Sequence, residues 1–75
     1  MKAFADLGDL PEDTRIKVIA ETAAAGEVVG FVVENDAKAD RYIKKLGKFP
    51  LVRVSYRGPG PVKGTILVRV SAKGN

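Results

Sequence analysis

Hydrophobic residues recur along this chain with two different periods. Ile16, Ile19, Ala20 and Ala23 fall at spacings of three, four and seven, which is one stripe of a helix. Leu10-Pro11-Glu12-Asp13 reads as its start: Pro11 suits the first helical position, Asp9 can cap it, and Glu12 and Asp13 face the positive end of the helix dipole. Gly26 after three alanines is a left-handed stop. Ile16, Val18 and Ala20 also alternate, so a strand over residues 15–21 competes. The glycine stop, the charge order and the alanine run favour the helix. A second stripe, Ala39, Tyr42, Ile43 and Leu46, lies between the cap residues Asn35-Asp36 and Gly47. On the outer faces Asp13–Lys17, Lys17–Glu21 and Asp40–Lys44 are spaced as i,i+4 pairs, with Lys38, Arg41 and Lys45 on the far side of the second helix.

The other segments have strand character. Val28 to Val33 is a continuous β-branched and aromatic run that suits a covered strand. Val52, Val54 and Tyr56 alternate with Arg53, Ser55 and Arg57, and Ile66, Val68 and Val70 alternate with Leu67, Arg69, Ser71 and Lys73. Gly58-Pro59-Gly60-Pro61-Val62-Lys63-Gly64 separates these two runs, so residues 51–73 read as a hairpin with a stiff tip. Residues 1–6 alternate too, with Lys2, Phe4 and Asp6 on one side, and read as an edge strand.

The order is then β-α-β-α-β-β in a single small domain over residues 1–75. The expected fold is an α+β two-layer sandwich, with both helices on one face of a four-stranded mixed sheet. The early strands pair in parallel and the final hairpin is antiparallel. On strict alternation the uncovered face shows Arg53, Ser55, Arg57, Arg69, Ser71 and Lys73, with Leu51 and Leu67 among them, and no aromatic residue.

Composition narrows the chemistry. The 75 residues include no cysteine, histidine or tryptophan. A disulfide framework, a thiolate nucleophile, an imidazole base and the usual zinc site are therefore closed, and no cofactor or metal is expected. Without a run of about 18 apolar residues no membrane span is expected, and Met1 to Asp9 lacks the pattern of a signal peptide, which points to a cytoplasmic setting. A domain of this size buries only roughly 60% of its unfolded-chain surface, so its elements must pack efficiently.

Charge is strongly segregated. Residues 1–37 carry three cations and eight acids, a net −5, whereas residues 38–75 carry ten cations and one acid, a net +9. The overall +4 conceals this asymmetry. It suits an electrostatic partner such as RNA or DNA, and it suits equally a basic half that neutralises an acidic half within one domain.

In element order and loop lengths the chain resembles the TusA/SirA family of small two-layer proteins. The local focus is Leu10-Pro11-Glu12-Asp13, where that family carries Cys-Pro-x-Pro and its cysteine carries sulfur as a persulfide. Pro11 matches, Leu10 stands in the cysteine position and Asp13 replaces the second proline. With no thiol anywhere, the resemblance implies a thiol-free relative acting through protein contacts, without sulfur transfer. A similar order occurs in Alba chromatin proteins and in the C-terminal domain of translation initiation factor three, both nucleic-acid binders. There the match is in order and basic character, not in a motif.

Three kinds of site follow from the residues. Arg53, Arg57, Lys63, Arg69 and Lys73 form a candidate nucleic-acid-binding set on the open face and hairpin tip, which Lys38, Arg41, Lys44, Lys45 and Lys48 can extend. The same residues fit a solvated sheet face whose cations protect an edge. The tip is neither a Walker loop nor a KH-type loop, since no helix flanks it. Carboxylates cluster at Asp9, Glu12 and Asp13 and at Glu34 and Asp36, but helix capping accounts for both groups, and no nucleophile or base accompanies them. The expectation is a non-enzymatic basic binding module. Its leading reading is sequence-nonspecific nucleic-acid binding through the C-terminal hairpin. Association with a protein partner or a second copy is the alternative.

Overall fold

The structure, a computed structural model, describes residues 10–74. Its elements are α1 (Glu12–Ala24), β1 (Val29–Val33), α2 (Asp36–Leu46), β2 (Val52–Pro59) and β3 (Ile66–Ala72). The α+β class and the two helices agree with the periodicities. The edge strand expected at residues 1–6 lies outside the described residues, as does its parallel pairing.

Pro11, with φ −57° and ψ 153°, immediately precedes α1, and Glu12 and Asp13 occupy the first turn. The residue expected as its cap, Asp9, lies outside the described residues. Ile16, Ile19, Ala20 and Ala23 are buried, so the helical stripe prevails over the competing strand at residues 15–21. At the far end Gly26 takes φ +108°, a conformation L residues with a Cβ rarely adopt, and reverses the chain toward β1. The Asn35 side chain caps α2 by accepting from the Lys38 N–H at 2.8 Å.

The described sheet has the order β1-β3-β2, and both pairings are antiparallel. The final hairpin is antiparallel as expected, and the parallel pairing expected of the early strands falls on residues outside the described ones. β1 and β2 point the same way, and β3 is inserted between them and pairs with both. The physical reason is local: a short tip returns β3 directly against β2, and the other edge of β3 then takes β1.

One core joins the layers. Val29, Phe31 and Val33 of β1, Val52 of β2, and Val68 and Val70 of β3 pack with the buried faces of both helices. Tyr42 is buried beside Phe31, with ring centroids 5.4 Å apart, and its hydroxyl accepts from Arg15 Nη1 at 3.1 Å. A buried phenol thus keeps a partner for its polar end. Among the described residues no helix is long and apolar enough to cross a membrane.

Candidate nucleic-acid interface

The face of the sheet away from the core is set by register, because residues opposite one another in an antiparallel pair share a face. Val29, Val70 and Val54 form one row toward the helices, and Phe31, Val68 and Arg57 form another. The alternate rows are Gly30, Arg69 and Tyr56, and Val32, Leu67 and Gly58. These rows form the open face.

Strict alternation along residues 52–57 predicts the reverse for Tyr56 and Arg57. The register shifts between Val54 and Tyr56, so that Val54 faces Val70 while Tyr56 faces Arg69. Ser55 is the extra residue of a β-bulge, and its hydroxyl donates to the Arg69 carbonyl at 3.4 Å. One inserted residue inverts every side chain after it. Tyr56 therefore emerges on the open face, 40% exposed, which overturns the expectation that no aromatic lies there. The Arg69 guanidinium carbon sits 4.9 Å from the centre of the Tyr56 ring.

Arg57 moves the other way. It leaves the open face and reaches the start of α2, where Nη1 donates to Asp40 at 2.5 Å and Nη2 to Asp36 at 3.0 Å. Asp40 and then Asp36 push its pKa upward by hydrogen bonding. Arg57 is thus a cation of the β2–α2 contact, and Asp40 is engaged by it rather than by Lys44. Ser71, expected on the open surface, is buried. It is a small side chain in the central strand, opposite Arg53.

The remaining members of the predicted set occupy separate places. Arg53 and Lys73 line a shallow groove of about 270 Å³ with Ile43, Leu46 and Gly47 at the end of α2. Lys63 is exposed in the tip, where Gly60 N–H donates to Thr65 O at 2.9 Å and the Thr65 hydroxyl donates to Val62 O at 2.5 Å. Leu51 is exposed just before β2, and Leu67 is half-buried on the open face between Val32 and Gly58. The structure brings Arg69 to Tyr56 and Arg53 to Lys73, keeps Lys63 at the tip, and removes Arg57 from the set.

The acidic carboxylates hold the helices together. Glu12 accepts two bonds from Arg41, at 2.8 and 2.7 Å, and one from Lys45 at 3.1 Å. Lys45 also donates to Asp13 at 2.6 Å. Hydrogen bonding from Arg41, opposed by burial and reinforced by Lys45, lowers the Glu12 pKa to about 2. Asp13 is thereby engaged across the helix pair rather than with Lys17. Lys38 pairs with Glu34 at 2.8 Å and holds that carboxyl below its usual range. Lys38, Arg41 and Lys45, considered as extensions of a nucleic-acid surface, are thus paired within the fold.

Sequence reading missed Tyr56 as a surface residue. A signal for its inverted placement was present in Asp36 and Asp40, four apart on one side of α2, which offer a seat for a cation arriving from the sheet. Among the described residues no group of three or more metal-ligating side chains comes together. No protein-family model, curated protein or solved structure matches the chain.

Proposed function

We propose that this protein is a non-catalytic, cytoplasmic binding module that takes nucleic acid on its open sheet face, with little dependence on sequence. The observation that carries this reading is the exposed Tyr56–Arg69 pair on a sheet whose described strands contain no carboxylate, Arg57 being turned to α2. Phosphates are attracted by such a face and not repelled by any acid in its strands. Arg69 and Lys63 are the principal cations, with Arg53 and Lys73 at the margin near the end of α2. Arg57 contributes through the fold, by tying β2 to α2.

NMR titration with a short RNA and a short DNA tests the reading. Shifts should concentrate at Tyr56, Arg69 and Lys63, while the Arg57 side-chain signals stay in place. Affinity should fall as salt rises, because each phosphate contact releases a counterion. The absence of any shift with either polymer at low salt would reject the proposal. Binding of a protein partner that is insensitive to salt and maps to α1 would favour the thiol-free, contact-making alternative.

A further inference from the structure

Resting on the reading above, we infer that Tyr56 and Arg69 form a stacking site for one base of a single strand. The site is built by the Ser55 bulge, which turns a residue of the core-facing series outward onto an edge strand. The ring lies along its own strand over Gly58: a Cβ there would run into the Tyr56 ring. At the far end of the row that holds Tyr56 and Arg69 is Gly30, where a Cβ would meet nothing closer than the Arg69 side chain at 3.8 Å. Two glycines thus leave the ring and the guanidinium standing above a low floor.

The Arg69 guanidinium lies over the Tyr56 ring, so a base stacks onto this pair and its phosphate meets the same cation. Every base has a π-face, so this recognition tolerates any sequence. A duplex keeps its bases stacked within the helix and offers the ring only its backbone. An unpaired strand can turn a base outward. Among the described residues the aliphatic side chains in the rows beside the two glycines are Val32 and half-buried Leu67, with exposed Val28 and Leu51 lying just outside the strands, so a protein partner fits this part of the face less well.

Fluorescence anisotropy with labelled oligothymidylate, oligouridylate and a hairpin duplex, all at low salt, separates this inference from its premise. Tyr56→Ala should weaken single-strand binding about 5- to 150-fold, the usual range for loss of one stacked base, whereas Tyr56→Phe should stay within about twofold. Duplex binding should be weaker and unaffected by either change. In the wild-type protein the Tyr56 ring protons should move upfield on adding the single strand, a readout that does not depend on how a variant folds. Equal affinity for strand and duplex, with no ring shift and no effect of Tyr56→Ala, would overturn the stacking site and leave the nucleic-acid reading intact. Failure to bind any of the three polymers would overturn both.

Discussion

Replacing Glu12 with Gln tests whether the link between α1 and α2 is electrostatic. The substitution keeps the side chain's shape and an oxygen that can accept from Arg41, but removes the charge shared by Arg41 and Lys45. The Glu12 carboxyl is drawn from its ordinary 4.5 to about 2 in the folded protein. Taken at face value, a displacement of that size is worth about 3 kcal/mol. Solvent reduces it, because the Glu12, Arg41 and Lys45 side chains are 24%, 51% and 36% exposed. Exposed pairs rarely contribute more than about 1 kcal/mol, so we expect a loss of about 1 kcal/mol at neutral pH. In a domain this small that corresponds to a fall in Tm of about 4–8 °C.

The sign of the pH dependence follows from the direction of the shift. A carboxyl whose pKa is depressed by folding stabilises the folded state above its unfolded value, and loses that contribution as pH falls through its folded value. The gap between wild type and Glu12→Gln should therefore be complete above about pH 4.5 and close between pH 4.5 and 2. It should also narrow in concentrated salt. Urea melts followed by circular dichroism at several pH values measure it directly. A gap that is absent at neutral pH, or that survives undiminished at the acid end, would refute the account.

The remaining predictions concern the core and the bulge. Leu46→Ala removes a buried side chain that seats α2 against the sheet and should cost about 2–5 kcal/mol, measurable as a lower urea midpoint. Tyr42→Phe removes the acceptor for Arg15 Nη1 and should cost about 1 kcal/mol by the same assay, with little change in the near-native fold seen by NMR. Gly58→Val should drive the Tyr56 ring off the strand and break its contact with Arg69, visible as altered ring shifts; unaltered shifts would contradict the packing described for Gly58. Deleting Ser55 should leave a folded protein with Tyr56 still outward and Arg57 still on α2, because the deletion removes only the extra residue. An unfolded deletion variant would argue for the unbulged register.

Most of the fold was legible because its periodic signals were strong. Ile16, Ile19, Ala20 and Ala23 announced α1, Val28 to Val33 announced β1, and Gly26 marked a reversal that the structure makes at positive φ. Strand neighbours were less accessible, because alternation shows that a segment is a strand but not which strand lies beside it. The face assignment failed at one residue. A bulge costs one position of register and leaves the composition on both sides unchanged, so Val54-Ser55-Tyr56-Arg57 reads as regular alternation until β3 is set against it. The candidate site inherited that error in two opposite ways, losing Arg57 and gaining Tyr56.

The segregation of charge also acquires a different meaning from its first one. Glu12, Asp13, Glu34 and Asp36 come from the acidic half, and they pair with Arg41, Lys45, Lys38 and Arg57 from the basic half. Much of the asymmetry is therefore consumed in joining α1, α2 and β2. What remains for a partner is a face made basic by the lack of acids in its described strands more than by the number of its cations. If it takes nucleic acid as proposed, such a face makes few phosphate contacts. If Arg69, Lys63 and Lys73 each meet one, the slope of log K against log salt for a single strand should be about −2. A slope near −7 would require about ten phosphates, more than a fold with its paired cations can engage. On the proposed reading, so small an electrostatic contribution leaves the affinity to contact with the bases themselves, and Tyr56 is the aromatic side chain that the bulge turns onto that face.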